Sequence, residues 1–586
     1  MEKLSANFNR ISAVAGFVVS AASFFLPVIN PDLFWHLASG RFILETGKIP
    51  DVDFLSWTMS GKEWLDFEWF TQIVYWLLFL KGGLPALLIL KAFILGACLF
   101  FFWKLSRLYN LEKLSFISFP LLTLGLLPNN DVRPENFTLL FFTAQLYFLE
   151  SARLGKIGSK TTGYAAFVSA GFCLWANLHA GYLYGLALFL VYFLGEGFEE
   201  NLPWIYGKRG RVIVKKSAVY LKYFFAGGLA SFLNPYLWKI YKVAWNHQAH
   251  LNTLQEYIQE WKPFDLTNAY QWPYVFILVF SFSVILARFI KSRDVPYAHL
   301  AGMFFFAYSS ANYSRHSIFF SVTGLSFAIF AISRGRLPSG KTTAGAVAAV
   351  FICILIYFRA FIFPMYSGRI SAFEDASGGA VNFLKANSEH LAKLKMFNYW
   401  GWGGYLGFHL YPEYRVFIDG RYIFHSFLEE TENSRNNPEN WNKFLAKWDF
   451  RLAIIPRGES KVAVKHRFKN GKTAVLYRPA YLAYLPKKNW AVVYWDKKCV
   501  ILAERNSASR NWLKMNEYKY LRADDTFNLA MAVLENEIPV KDVEREILRF
   551  INLPDLEESM GKETKVWWER LLKAKNKAPQ TNRGAF

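Results

Sequence analysis

Cysteine is scarce in this chain and poorly placed for chemistry. Cys98, Cys173, Cys353 and Cys499 are scattered over 586 residues, three of them inside apolar runs. There is no CxxC and no metal-type spacing, so free, buried thiols are expected. A Walker loop, a GxSxG elbow and an HExxH helix are also missing. An ATP-driven pump, a serine hydrolase and a zincin are therefore unsupported. Acidic residues are outnumbered, 45 against 67 Lys and Arg, for a formal net charge of +22. In a soluble protein that excess would suggest nucleic acid. Here much of it lies in short loops between apolar segments, where it sets topology. No nucleic-acid partner is expected, although some of the charge suits anionic lipid head groups. No small-residue cleavage site precedes Asn30, so the first apolar run reads as a retained anchor and not a signal peptide.

What the chain has instead is apolar length. Hydrophobic residues make up 53% and aromatic residues 19%. Window hydropathy gives about eleven candidate spans, near 11–29, 84–103, 115–129, 134–153, 163–178, 180–198, 217–234, 271–289, 296–312, 315–332 and 342–363. The segment 67–81 is ambiguous, being short for a span and acidic and aromatic at its start. If it does not cross, the basic clusters at Lys104/Arg107/Lys113, Arg153/Lys156/Lys160, Lys208–Lys216, Arg288/Lys291/Arg293 and Arg334/Arg336/Lys341 all fall on the side of Lys3 and Arg10. The positive-inside rule makes that side the cytoplasm. The segment 67–81 is therefore expected to be interfacial or re-entrant, and the odd count puts the C-terminal region outside the cytoplasm.

The same parity gathers the polar interruptions on the outer face. They are 30–83, NNDVRPE at 129–135, NLHAG at 177–181, 234–270 and ANYSRH at 311–316. Ionisable groups at a membrane edge are costly and are candidates for function. The stretch 30–69 is too polar to cross and too rich in Trp, Phe and Leu to be a solvated loop, so it is expected to lie at the membrane surface. Asn30 and Pro31 suit a helix start, and Asp32 and His36 then share a face. Asp32 suits a general base on an acceptor hydroxyl, or else it favours the positive helix N-terminus. His36 could orient Asp32, bind phosphate, help hold a metal or be a structural group. Asp53, Asp66 and Glu68 could join Asp32 around a divalent cation, although no spacing enforces it. Arg133 suits a phosphate, or an ion pair with Asp131 or Glu135. Asn177 and His179 could meet sugar hydroxyls or form a polar helix end. Arg315 offers a second phosphate-sized site or snorkels to the interface. The aromatic, partly polar 236–261 reads as a second surface-lying helix or one packed on the outer domain.

From about Tyr366 the composition becomes that of an α/β domain. Helix is expected at 380–392, buried strands at YRVFIDGR (414–421) and RLAIIP (451–456), and a hairpin in WAVVYWDKKCVILAER turning at 496–498. NYWGWGGYL (398–406) and Asp419-Gly420-Arg421 read as turns. Beyond about 510 the pattern is helical, and the last ten or so residues are expected to be disordered. The division expected is 1–365 (with the outer loop 30–83), 366–508 and 509–586.

An anchor, an acidic surface loop that begins with an Asp, many spans and an outer α/β domain together resemble the GT-C superfamily of membrane glycosyltransferases. The opening resembles more closely a bacterial multi-span group with the pattern PDxFWHLxxG…IP…D…S…G…W…EW. Here it is carried by Pro31-Asp32, Phe34-Trp35-His36-Leu37, Gly40, Ile49-Pro50, Asp53, Ser56, Gly61, Trp64 and Glu68-Trp69. Later positions are similar too: Arg133-Pro134, Trp175, Asn177, His179, Asn234-Pro235, Glu260-Trp261 and Asp419-Gly420-Arg421. The resemblance implies a polytopic helical fold and an inverting enzyme of an inner (plasma) membrane. Such an enzyme moves sugar from a polyprenyl-phosphate donor to a lipid, glycan or protein acceptor at the outer face. It implies Asp32 as the first-loop catalytic carboxylate, Asp131 as a second acidic position and Arg133 or Arg315 at the donor phosphate. With the reading of the residues, Asp32, His36 and Asp131 are the catalytic candidates and Arg133, Glu68, Asn177, His179, Arg315 and Asp53 the substrate-binding ones. Asp32 is followed by Leu33 rather than by a second acid, which leaves the metal question open. A flippase or transporter for lipid-linked glycans, or a non-catalytic assembly protein, is the alternative. The first would have charged groups deep in its spans and internal repeats.

Overall fold

Helix covers most of the eleven predicted apolar runs, although the first run is helical only to Ala21. The computed structural model describes residues 2–156, 161–205, 217–292, 295–335, 341–366, 378–458, 461–468 and 471–577. The basic loop at 208–216, Lys160, Arg293, Arg336 and the tail from 578 onward lie outside these residues. Four helical stretches are long and apolar enough to cross a membrane: Trp69–Leu108, Ala269–Ser292, Ser314–Ser333 and Gly345–Met365. This is the make-up of an integral membrane protein.

The chain divides into two compact units. One holds Met1–Asp51 and Glu63–Ser371, the other Val52–Lys62 and Ala372–Phe586. The expected outer loop 30–83 is thus shared between units, and the expected regions 366–508 and 509–586 fall together in one.

In the first unit the helix Ser317–Ser333 is the axis. Every residue from Ser317 to Ala331 is buried, and its Phe and Ile side chains join one continuous apolar core. By contrast Trp272–Ser292 leaves Phe276, Val279, Leu286 and Ile290 exposed, an apolar face suited to lipid. Trp69–Leu108 is broken at Gly82 (φ −152°, ψ 16°) and Gly83 (φ 60°, ψ −152°). Gly83 occupies backbone space open essentially to glycine alone. The break separates the ambiguous segment from the predicted span at 84–103. The 236–261 region is a chain of short pieces rather than one helix: Leu237–Lys239, Ile240–Ala249, Leu251–Tyr257 and Gln259–Trp261. Trp238 and Trp245 on it are exposed.

One buried carboxylate fastens four helices of this unit. Glu150 accepts from Arg153 Nη2 at 2.8 Å and His299 Nε2 at 2.9 Å, and from the hydroxyls of Tyr109 and Tyr192. A buried charge this far from water requires such a set of donors.

The second unit carries β1 (Met396–Asn398), β2 (Leu452–Pro456), β3 (Lys461–Arg467), β4 (Thr473–Pro479), β5 (Trp490–Trp495) and β6 (Cys499–Glu504). The main sheet runs β1-β2-β6-β5, with β1 and β2 parallel and the other pairs antiparallel; β3 and β4 form a separate hairpin. β2 and the β5–β6 hairpin match expectation. YRVFIDGR is not a strand: only Val416 bridges, to Ser56, so its apolar run is buried without a ladder. NYWGWGGYL is mostly helix, Trp400–Leu410. Its glycines serve close packing, since a Cβ at 403 would collide with the Ile418 carbonyl and one at 407 with Leu55. Further helices of the unit include Gly378–Ala386, His425–Ser434, Pro438–Trp448, Arg510–Asn516, Thr526–Leu534, Val540–Ile551 and Glu558–Lys577.

Candidate active site at the helix ends of the first unit

Most residues of this site stand where a helix of the first unit starts or stops, and His36 lies one turn inside its helix. Asp32 opens the helix Asp32–Thr46, and its N–H is held by Asn30 Oδ1 at 2.8 Å. The helix begins one residue later than expected, but the capping side chain is the expected one. Glu68 precedes Trp69–Leu108, Arg133 precedes Glu135–Arg153, and His179 follows Thr161–Leu178. Glu260 and Arg315 lie on short 3₁₀ turns.

These ends meet in one charged network. Arg133 Nη2 is 3.4 Å from Asp32 Oδ2, and Arg133 Nη1 is paired with Glu260 Oε2. Arg315 Nη1 is 3.2 Å from the other Glu260 oxygen, Nη2 is 3.7 Å from Glu135 Oε1, and its guanidinium stacks over Trp261 at 4.9 Å. Glu260 therefore ties both arginines together. Burial opposes charge on Glu260, but Arg133 and Arg315 outweigh it and hold its pKa at about 2. Asp32 keeps 28% of its side chain exposed against 12% for Arg133, so the carboxylate is the open end of the pair.

Beside it, Glu68 lies between two imidazoles. His179 Nε2 is 3.6 Å from Oε1 and His36 Nε2 is 4.0 Å from Oε2. Gly181 N–H donates to His179 Nδ1 at 3.0 Å, and Thr138 Oγ1, which itself accepts from Trp175 Nε1, lies 2.8 Å from the same Nδ1. Nδ1 is then the acceptor, so the neutral ring carries its proton on Nε2, facing Glu68. Burial, reinforced by Arg315 and Arg133, lowers the His179 pKa to about 3. Burial, with Arg133, also holds His36 well below the usual range. Burial raises Glu68 well above the usual carboxyl range, helped by Asp66 and Asp32. Burial thus favours the uncharged form of all three groups.

Three sequence-predicted residues take other roles. Asp131 spends its carboxylate on backbone: Oδ2 accepts from Ile29 N at 3.0 Å and Asn30 N at 2.7 Å, and Oδ1 from Val132 N at 2.6 Å. These bonds fix the approach to Asp32. Asn177 accepts from Trp69 Nε1 and donates to the carbonyls of Cys173 and Leu233, each at 2.8 Å, so it joins helix ends and has little left for a sugar. Asp53 belongs to the second unit, where it pairs with Arg421 Nη2 at 2.6 Å. Glu260 was missed as a site residue; its signal was the Glu-Trp pair that ends the aromatic 236–261 segment. Glu135 was missed too, having been read only as a partner for Arg133.

Among the described residues no group of three or more His, Cys, Asp or Glu side chains is arranged for a metal ion. Asp32, Glu260 and Glu135 each face a guanidinium.

No protein-family model and no curated protein matches the sequence. Solved structures do match in fold. An Archaeoglobus fulgidus oligosaccharyltransferase, tethered with an acceptor peptide containing an NVT sequon, superposes with a TM-score of 0.53 at 10% identity, over 89% of this chain and 82% of that one. ArnT from Cupriavidus metallidurans, bound to undecaprenyl phosphate, gives 0.42 at 12% identity, over 85% and 97%. The first of these likenesses is one of overall fold, and it extends over most of both chains.

Proposed function

We propose that this chain is an integral membrane glycosyltransferase of GT-C type that takes sugar from a polyprenyl-phosphate donor and passes it to a lipid, glycan or protein acceptor at the outer face of a plasma membrane. The observation that carries the reading is the network Asp32–Arg133–Glu260–Arg315. It puts a half-exposed carboxylate beside two phosphate-sized cations at the ends of membrane helices. The fold shared with an oligosaccharyltransferase supports it. So does the topology read from the basic loops, with eleven crossings, a cytoplasmic N-terminus and the second unit outside.

In the proposed reaction the acceptor hydroxyl gives its proton to Asp32 as its oxygen attacks the anomeric carbon. The bond from that carbon to the phosphate oxygen breaks, and the lipid phosphate leaves with the electron pair. Attack opposite the leaving group inverts the configuration. Arg133 and Arg315 meet the charge growing on the phosphate. An entering phosphate competes with Glu260 and Asp32 for the same guanidinium edges, which frees Asp32 to act as base. His36 and His179 flank the buried Glu68 carboxyl beside this network. No step needs a divalent cation.

Asp32→Asn tests the reading in a lipid-linked-sugar transfer assay. It should lower turnover by about 10²–10⁴-fold, the contribution of a positioned base, while the melting temperature is unchanged. Retained turnover would falsify the assignment. Chelation with EDTA should leave the wild-type rate unaltered, and a rate restored only by added cation would overturn the arginine-based scheme.

A further inference from the structure

Buried cations normally meet an anion, and the second unit holds one that does not. Arg522 opens a tight turn in which the Asp525 N–H donates to the Arg522 carbonyl at 3.3 Å. The residue is only 4% exposed. Its guanidinium nonetheless makes no hydrogen bond or ion pair with any of the described residues. An arginine cannot escape burial by losing its proton, so the charge persists. Such a charge is strongly unfavourable until something supplies its counter-charge.

Two more cations crowd it. Arg478, near the end of β4, reaches the same turn and pairs with Asp525, with Nε 3.3 Å from Oδ1 and Nη2 against Oδ2. Lys487 follows the short helix Tyr481–Tyr484, which is tied to the turn by Tyr481 OH donating to the Ala523 carbonyl at 3.0 Å. The Lys487 ammonium also has no ion pair among the described residues. Desolvation, and then the charges of Arg522 and Arg478, lower the Lys487 pKa to about 8. Burial, with Arg478, lowers that of Arg522. Both shifts are those of positive charge in excess.

The carboxylates around this cluster are already committed. Asp525 takes Arg478 and, at 2.6 Å, the Asn528 amide. Asp524 takes Arg457 Nε at 3.0 Å. Glu546 accepts the backbone N–H groups of Lys519, Tyr520 and Leu521. Arg522 and Lys487 are thus left with two unmatched charges. A phosphate monoester carries about −1.5 to −2 at neutral pH, which balances them, and its oxygens suit a guanidinium fork.

We infer that Arg522, Lys487 and Arg478 form an anion site that takes a phosphate group, either of a soluble phosphate ester or of a lipid head group. The site lies outside the transfer scheme and stands whether or not Asp32 is a base.

The test uses two neighbouring exposed lysines, Lys487 and Lys488. The full chain in neutral detergent is trace-acetylated at a pH near the Lys487 pKa while inorganic phosphate is raised at constant ionic strength. Peptide mass spectrometry then reads the rate at Lys487 against Lys488 as internal reference. Phosphate should slow Lys487 selectively and saturably. Arg522→Gln should raise the phosphate needed by about tenfold, the size of one lost charge-assisted hydrogen bond. Arg522→Lys, which keeps the charge and loses the fork, should fall between the two, and Arg133→Gln should change nothing. In phosphatidylcholine nanodiscs free of phosphate, slowing on addition of phosphatidate assigns the group to a lipid head group. Slowing by inorganic or methyl phosphate alone assigns it to a soluble ester. No selective slowing at Lys487 in the wild type would overturn the inference. So would slowing that Arg522→Gln leaves unchanged or that Arg133→Gln abolishes.

Discussion

Gly181 N–H and the Thr138 hydroxyl both approach Nδ1 of His179, so the ring has no room for a second proton there. This has a pH consequence with a definite sign. The folded pKa, about 3, lies below the unfolded value of about 6.5. The unfolded chain therefore takes up the proton first, and stability falls as pH drops from about 6.5 toward 3. Between pH 7 and pH 5 this one residue should remove up to about 2 kcal/mol. His179→Asn cannot titrate, and melts at the two pH values should lie closer together for it than for wild type. That these side chains gather was legible in the sequence, because Asp32, His36, Glu68, Arg133, His179 and Arg315 each interrupt apolar sequence near a helix end. The actual partners were not. Arg133 could be matched by charge to Asp131 or Glu135, yet it pairs with Glu260, more than a hundred positions away. Asp131 is engaged by backbone N–H groups, which no side-chain pattern reveals.

At the scale of elements, helices were the easiest structures to foresee, since runs of apolar residues this long have few other options in lipid. The break at Gly82–Gly83 was visible as a mismatch between a short acidic-aromatic segment and the apolar run after it. Gly83→Ala puts a Cβ where φ is 60° and should destabilise the chain by about 1–3 kcal/mol. Gly163 lies in the helix Thr161–Leu178 with open space around its Cα. There the same change should be neutral or stabilising by up to about 1 kcal/mol, so a melt of the two variants side by side checks the claim. Strand prediction failed at YRVFIDGR for a different reason. Its buried apolar run at 416–418 is real, but its hydrogen-bonding neighbour is a short segment from far earlier in the chain. Val416 N donates to Leu55 O at 3.2 Å, and Trp57 N donates to Val416 O at 3.0 Å. A single-segment pattern carries no sign of so distant and so brief a partner.

For the whole molecule, the division into two units was foreshadowed by the change in composition near Tyr366, but the detour of Val52–Lys62 was not. Within the second unit Asp53 and Asp419 enclose Arg421, with Nη2 at 2.6 Å and 2.7 Å from them, and all three are buried. Trp57 Nε1 donates to the Met396 carbonyl at 2.9 Å, and its ring packs against Phe417 and Trp448. Removing one partner of a buried ion pair costs about 3–5 kcal/mol. A fragment of residues 372–586 alone should therefore be poorly folded, and a peptide of residues 52–62 added in trans should sharpen its thermal transition. A fragment equally stable with and without the peptide would sink the claim.

That detour also dictates an order of assembly. Synthesis delivers Asp53 long before Arg421, and nearly all of the first unit is made in between. The eleven residues from Val52 to Lys62 must wait as an exposed apolar strap, with Phe54, Leu55 and Trp57 uncovered, until the rest of their unit leaves the ribosome. Maturation of the second unit therefore follows synthesis of nearly all of the first, and its kinetics should depend on how soon that strap finds its seat.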